Sequence, residues 1–269
     1  MICCIFNEMR KFIIIIIVFF DVITFSSNPH KTNIEFLPYN PIAFTYGEKL
    51  KFKLSYGFID AGYAKLEILP HEKINGRSYY QFKGVGYSSP TFDWLFKVRD
   101  KYESVVDSAS LLPLYFDRDV NEGTASFKQH YKFDHTNQLV NDGKKEIAIT
   151  NNMQDMVSCF FYARSQNLND LKKGDILTFP TFVDSEVYQL KIKFLGRENL
   201  EIDAGKFKAL KFCPVVQTGR IFKSNESLLV WISDDYNKIP LLAKAKIWVG
   251  SVRMELIKMN GLLHPSSYL

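Results

Sequence analysis

Strict alternation of apolar and polar residues begins at Lys49-Leu50-Lys51-Phe52-Lys53-Leu54-Ser55-Tyr56. A period of two places Leu50, Phe52 and Leu54 on one face of a strand and the lysines on the other. The same alternation returns in segments as distant as Glu186–Leu195. It is typical of a β-strand with one buried face and one face in water. Such strands are therefore the main building unit that the sequence predicts.

Tight-turn sequences separate the alternating segments. Asn75-Gly76 and Asn141-Asp142-Gly143 combine residues that tolerate positive φ, which is the usual signal of a hairpin. The segments between such signals predict strands at Lys49–Tyr56, Phe58–Leu69, Ser78–Tyr87, Val98–Asp107, Leu114–Arg118, Thr124–Phe133, Glu146–Thr150, Glu186–Leu195, Asn199–Ile202, Phe207–Val216, Ser227–Ile232, Leu241–Val249 and Val252–Met259. The fold class that follows is all-β and mainly antiparallel.

The strands belong to one domain, because no Gly/Ser-rich or Pro-rich linker divides them. We expect one large, strongly curved sheet, either an open barrel or a roll, over residues 44–260. Residues 28–43 lack a period and predict an irregular leader, and 261–269 form a C-terminal tail.

One segment changes from period two to the helical period. A buried stripe at i, i+3, i+4, i+7, i+8 and i+11 predicts a single covering α-helix, and its members are Met153, Met156, Val157, Phe160, Phe161 and Arg164. Asn152 could cap the helix, with Asp155 three residues later. In this phase Phe160 and Phe161 pack against the sheet, while Gln154 and Ser165 face away.

Composition narrows the class of protein. The chain has 269 residues, of which 46% are hydrophobic, 23% charged and 15% aromatic. These values exclude disorder, collagen and a coiled coil as the main body. The formal net charge is +5 and no basic block occurs, so we expect no nucleic-acid binding.

The first 27 residues have the order of a secretory signal peptide. Arg10 and Lys11 precede the apolar segment Phe12–Phe20, and Ser26 and Ser27 follow it. Asp21 interrupts an apolar stretch that is shorter than the ~20 residues a bilayer span needs. We therefore expect cleavage near Asn28, export, and no permanent transmembrane anchor.

No catalytic or metal-binding motif is present in the sequence. His130 and His135 point to opposite faces of one strand, so they do not predict a metal site. The acidic pairs of the chain are typical of polar turns, and they include Asp117 with Asp119 and Asp234 with Asp235. Cys159 and Cys213 could form a disulfide in an oxidising compartment, or be two buried thiols. We predict no catalytic residues, no metal and no cofactor.

Phe92-Asp93-Trp94-Leu95-Phe96 concentrates aromatic rings between two predicted strands. Phe92, Trp94 and Phe96 could line the mouth of an apolar ligand pocket. The alternative is that they plug the end of the sheet as core. They are the only ligand-binding candidates that the sequence offers.

Several short motifs resemble, in the same order, those of the domain-of-unknown-function 3108 family of exported bacterial envelope proteins. They are Tyr46–Phe52, Ser55–Gly62, Asp155–Ser158, Phe161–Arg164, Gly205–Phe207, Leu229–Asp235, Ile239-Pro240 and Gly250–Val252. The resemblance runs from about Phe44 to Leu256. It implies an exported, β-rich domain and carries no catalytic residues.

The functional hypothesis is an exported, non-catalytic protein in the periplasm or cell envelope of a Gram-negative bacterium. Its concave sheet would bind an apolar or amphipathic molecule, such as a lipid. One alternative is a structural or assembly factor that acts through protein contacts. Another is an unrecognised hydrolase, which would need a cleft with convergent polar groups.

Overall fold

The computed structural model describes residues 42–215, 228–246 and 250–269. They form one sheet of fourteen antiparallel strands in the order β8-β7-β6-β5-β4-β3-β2-β1-β14-β13-β12-β11-β10-β9. The strands are β1 Lys49–Tyr56, β2 Ile59–Ile74, β3 Arg77–Ser88, β4 Arg99–Asp107, β5 Pro113–Glu122, β6 Ala125–Asp134, β7 Leu139–Asn141, β8 Glu146–Ala148, β9 Ile176–Val183, β10 Glu186–Ile202, β11 Gly205–Pro214, β12 Leu228–Ser233, β13 Pro240–Lys246 and β14 Ser251–Asn260. The signal peptide and most of the leader predicted from the sequence lie outside the described residues.

The all-β, antiparallel fold class is confirmed. The register explains it, since Phe52 stands opposite Ala64 on β2 and opposite Leu256 on β14. All three side chains are buried. Alternation in the sequence thus becomes a continuous apolar layer across neighbouring strands.

Aromatic and ionic contacts show how strongly the sheet is curved. Phe182 on β9 packs edge-on against Tyr131 on β6, with ring centroids 5.0 Å apart. Arg118 on β5 forms an ion pair with Asp184, in the turn after β9. Strands from opposite halves of the sheet therefore face each other across a shared interior. No ladder joins β8 to β9 among the described residues, so the barrel is open.

Alternating strand directions give the open barrel two distinct ends. Strands β1, β3, β5, β9, β11 and β13 run towards one end of the barrel, which we call the tip. The turns after β2, β4, β6, β10, β12 and β14 lie at the other end, which we call the base. The site is described below with these two terms.

The covering helix is much shorter than the sequence predicts. Helix α2 spans only Ser158–Arg164, and before it Gln154 forms an isolated β-bridge while Met156 and Val157 form a turn. Gln154 pairs with β9 instead: its amide donates to Pro180 O (3.0 Å), and Phe182 N donates to its carbonyl (2.7 Å). This pairing covers part of an edge strand, which would otherwise expose unpaired amides.

The predicted helical phase was therefore wrong for Gln154 and Ser165. Both are buried, at 0% and 2% exposure, whereas Phe160 is half-buried. The other members of the predicted stripe do face the sheet: Met153, Met156, Phe161 and Arg164 are buried, and the Phe161 ring stacks on Phe82 at 3.8 Å. The apolar periodicity was real, but pairing of Gln154 with β9 and the turn held by Asp155 take the place of helix over residues 153–157.

A second short helix was not predicted. Helix α1, Pro90–Asp93, lies between β3 and β4 at the tip. Pro90 occupies its first turn, where the missing amide costs no hydrogen bond. The described residues thus contain two short helices instead of one.

Candidate functional site: an apolar cavity inside the curved sheet

The interior of the open barrel contains an apolar cavity of about 220 Å³. Strands β1 to β4 and β9 to β14 line one side of it, and helix α2 lines the other. Gly84 on β3 leaves space beside Leu66 and Tyr102, because it has no side chain. The cavity therefore arises where the curved sheet and the short helix fail to fill the space between them.

One face of α2 and of the residue before it supplies the helical wall. Val157, Phe160, Phe161 and Arg164 follow the i, i+3, i+4, i+7 spacing and all line the cavity. Phe161 is buried, while Val157 and Phe160 are half-buried. The half-buried rings and methyl groups give an apolar molecule direct contact surface.

A buried ion pair seals the base end of this interior. The Arg164 guanidinium donates to both carboxylate oxygens of Glu48, at 2.6 and 2.8 Å. Its Nε donates to Asn237 O at 2.9 Å, in the loop between β12 and β13. The ring of Phe44 lies 5.4 Å from the guanidinium carbon. The positive charge of Arg164 is thus already compensated. Arg164 therefore closes the cavity and does not form an anion-binding site.

A buried carboxyl group fixes the start of α2. Asp155 Oδ1 accepts hydrogen bonds from the amides of Val157 and Ser158, at 2.7 and 2.8 Å. Its Oδ2 accepts one from Ser104 Oγ at 2.5 Å. Asp155, and not Asn152, therefore satisfies the free amides at the helix N-terminus. Complete burial raises the pKa of Asp155 to about 6, against the opposing effect of these hydrogen bonds.

Half-buried residues line the cavity on the strands as well as on helix α2, and three of those on strands lie towards the tip. Ile192, Val230 and Met254 line the cavity and are half-buried. Each lies in the half of its strand that is nearer the tip. The base, in contrast, is closed by Arg164 and Glu48.

The three aromatic residues predicted to bind a ligand lie together around α1, and none is among the residues that line the cavity. Phe92 is buried at 5% exposure, whereas Trp94 is 81% exposed. Phe96 is half-buried and packs on Gly123, where an added Cβ would stand 2.8 Å from its ring. A role of these three in ligand binding remains a prediction, and the segment divides into buried and exposed rings.

Cys159 and Cys213 are both buried thiols in the structure, so the disulfide considered from the sequence is not formed. Thr181 Oγ1 donates to Cys159 Sγ at 3.5 Å. Burial raises the pKa of the Cys159 thiol to about 12. The thiolate that nucleophilic chemistry requires is therefore disfavoured at this position.

Other candidate polar residues serve local structure. Asp235 Oδ1 accepts hydrogen bonds from the amides of Asn237 and Lys238, which closes the loop after β12. His130 contacts the exposed Asp117 at 2.7 Å. The part of the chain that the structure describes contains no group of three or more His, Cys, Asp or Glu side chains that could hold a metal ion.

A polar cluster lines the interior near the tip, beyond the cavity. Asp100 is buried and accepts a hydrogen bond from Asn121 N at 2.9 Å. Burial raises its pKa to about 6, although Arg118 opposes this change. Arg118 in turn joins β5 to the turn after β9. This cluster helps to close the curved sheet, and no motif or spacing in the sequence indicates it.

The sequence does not reveal the cavity, and the reason is physical. Leu190, Ile192 and Phe194 were recognised as the buried face of a strand, but period two cannot tell a filled interior from a hollow one. Whether a cavity remains inside the sheet depends on the position of α2. That position is set by contacts between residues that are distant in the sequence. Alternation therefore identified the lining face and not the cavity.

An open, curved antiparallel sheet around an apolar interior defines a β-barrel-like protein. The chain belongs to the family described as "Protein of unknown function (DUF3108)", whose profile matches residues 51–257. The suspected family membership is thus confirmed over most of the chain. No curated protein matches the chain significantly.

A solved structure with little sequence identity to this chain shares its architecture. A β-barrel-like protein of the domain of unknown function DUF1849 from Brucella abortus is similar, with a TM-score of 0.51 and 9% identity; the match covers 81% of this chain and 98% of that one. The hypothetical protein CT021 from Chlamydia trachomatis has a TM-score of 0.38 and 9% identity, over 85% and 93% of the two chains. The first comparison supports the fold.

No helix in the described ranges is long and apolar enough to cross a membrane.

Proposed function

We propose that this chain is an exported, non-catalytic envelope protein that binds the apolar part of an amphipathic molecule inside its curved sheet. The observation that carries the proposal is the cavity of about 220 Å³ between the sheet and α2. Its lining is almost entirely apolar, and the guanidinium of Arg164 is occupied by Glu48. Burial of apolar surface would therefore supply the affinity.

The volume indicates which part of a ligand enters. An apolar cavity of roughly 150 Å³ binds benzene, whereas whole drug-sized molecules occupy roughly 300–1,000 Å³. A cavity of about 220 Å³ suits the end of an acyl chain better than a complete lipid. The polar head would remain at the tip, outside the apolar interior.

A cavity-filling substitution tests this proposal. Ala163 is half-buried and lines the cavity on α2, so Ala163→Leu places three further carbon atoms in the space the ligand needs. Binding of the fluorescent fatty acid cis-parinaric acid is expected to weaken at least ~10-fold, because each displaced methylene contact is worth about 0.8 kcal/mol. The melting temperature should stay close to that of the wild type.

The matched control is Ala148→Leu on β8, an exposed position outside the cavity. It makes the same chemical change and should leave binding unaltered. Gly84→Leu provides a second cavity variant on the sheet side, where an added Cβ makes only ordinary contacts of 3.4 and 3.8 Å. Native mass spectrometry of protein purified from its own envelope should show a bound apolar molecule. Absence of saturable binding by the wild type, together with the mass of the chain alone, would refute the proposal.

A further inference from the structure

The two most exposed aromatic side chains of the described residues lie at the same end of the barrel. Phe58, in the turn after β1, is 97% exposed, and Trp94, after α1, is 81% exposed. Both turns belong to the tip. Smaller exposed apolar residues at the same end are Ile59, Phe127, Val187 and Val215. Soluble proteins seldom leave rings of this size in water without an interaction that uses them.

Hydrogen bonds show that the two rings stand on neighbouring protrusions. Ser89, directly before α1, donates from its amide to Ala61 O and from its hydroxyl to Asp60 O, both at 2.9 Å. On the other side, Gly57 N donates to Ser251 O at the start of β14. The turn that carries Phe58 thus lies between α1 and the β13–β14 turn.

Hydrogen bonds and one buried ring hold the loop that carries Trp94 in place. Arg99 donates to both oxygens of Asp93, at 3.0 and 2.6 Å. Val98 N donates to Ser88 Oγ at 2.8 Å, and Phe92 is buried beneath the loop. Because the loop is fixed while its largest ring points into solvent, the exposure of Trp94 is built into the fold.

We propose that the tip docks on the surface of a phospholipid bilayer, with Phe58 and Trp94 entering the headgroup region. The proposal does not depend on a ligand in the cavity. Single rings on narrow, convex turns suit a fluid surface, whereas a protein partner of ordinary affinity needs a continuous patch of about 800 Å². Tryptophan, with an apolar body and a polar N–H, favours the membrane–water interface.

The charges beside the rings fit an anionic lipid surface. Lys97 and Lys246 are exposed at the tip. Of the acids at this end, Asp93 is bonded to Arg99, whereas Asp60, two residues after Phe58, is exposed. Juxtamembrane lysines add electrostatic attraction to anionic lipids.

Vesicles of phosphatidylethanolamine and phosphatidylglycerol with brominated acyl chains test the proposal directly. The protein is purified in the form that exporting cells produce, so that its N-terminus is the same in every variant. Trp94 emission should shift to the blue and be quenched, and Trp94→Phe should remove that signal while retaining vesicle binding. The double variant Phe58→Ser/Trp94→Ser should bind the vesicles at least ~10-fold more weakly.

Tyr236→Ser is the matched control. This ring is 55% exposed but lies at the base, in the loop between β12 and β13, so its loss should not change vesicle binding. Vesicle binding by the double variant equal to that of the wild type would overturn the proposal. Failure of the wild-type protein to bind the vesicles would also overturn the proposal. A protein partner would then be the alternative occupant of the tip.

Discussion

The two short helices of this protein show opposite uses of the same residue types. Both interrupt a succession of antiparallel strands, and both carry aromatic residues next to a charged pair. In α2, Phe161 and Arg164 are buried at 1% and 2% exposure, inside the barrel. After α1, Trp94 is 81% exposed, and the ion pair of Asp93 with Arg99 remains in contact with water.

The difference shows that packing context, and not residue type, decides what an aromatic segment does. The α2 segment crosses the concave face and must satisfy a buried arginine and a buried aspartate. The α1 segment caps the end of two strands and buries Phe92 while leaving Trp94 in solvent. We therefore expect substitutions in α2 to act on folding stability and substitutions after α1 to act on surface interactions.

The largest effect that this comparison predicts concerns Arg164. Arg164→Ala leaves the carboxylate of Glu48 buried without its partner, at an expected cost of about 3–5 kcal/mol in the free energy of unfolding. Urea denaturation of the purified protein measures it. The double variant Glu48→Gln/Arg164→Met should be more stable than Arg164→Ala, because both charges are removed together. A loss below about 1 kcal/mol for Arg164→Ala would show that α2 is held no more firmly than α1.

A smaller, pH-dependent effect is expected at Asp155. Burial raises its folded pKa to about 6 from 3.8. The protonated carboxyl is therefore favoured in the folded state, and its stabilising contribution is complete below pH 3.8 and is lost as the pH rises through about 6. The pKa difference corresponds to about 3 kcal/mol. Urea denaturation at pH 4 and pH 7 should show a smaller change for Asp155→Asn than for the wild type.

Asp142→Asn is the control for this measurement. Hydrogen bonds from Ser185 and from the amides of Lys145 and Lys144 lower the pKa of Asp142 to about 2. Its contribution is therefore lost only as the pH falls below 3.8, outside the range tested. Asp100 and His135 also have shifted pKa values, but they are common to all three proteins and cancel in the comparison. An unchanged pH dependence in Asp155→Asn would contradict the assignment.

The fold could be predicted where the signals were local. Asn75 and Gly76 both adopt positive φ, at 50° and 79°, as the hairpin signal requires. Strand β9 was missed, however, because Ile176–Val183 lacks alternation, and β7 was missed because it has only three residues. Phe207 packs against Tyr268 of the C-terminal tail at 5.3 Å, a contact that no local pattern specifies.

The site was less accessible to sequence reasoning than the fold. The helical period at Met153–Arg164 correctly identified a segment that covers the sheet, but backbone pairing of Gln154 with β9 took precedence over helical propensity. Concentrated rings at Phe92, Trp94 and Phe96 marked a special segment, yet the sequence could not tell which ring would be buried. Both failures have one cause, since exposure is set by contacts between strands that are distant along the chain.

The smallest expected effect on stability lies at Trp94, where the comparison between the helices is sharpest. If the ring stands free in solvent, Trp94→Ala should change the free energy of unfolding by no more than about 0.5 kcal/mol. Trp231, 4% exposed in the sheet, provides the matched substitution, and Trp231→Ala should cost about 3–5 kcal/mol. Thermal denaturation of the two variants beside the wild type measures both. A loss for Trp94→Ala as large as that for Trp231→Ala would mean that this ring packs as core. The tip would then lack its main anchor, and the two helices would no longer differ in their use of aromatic residues.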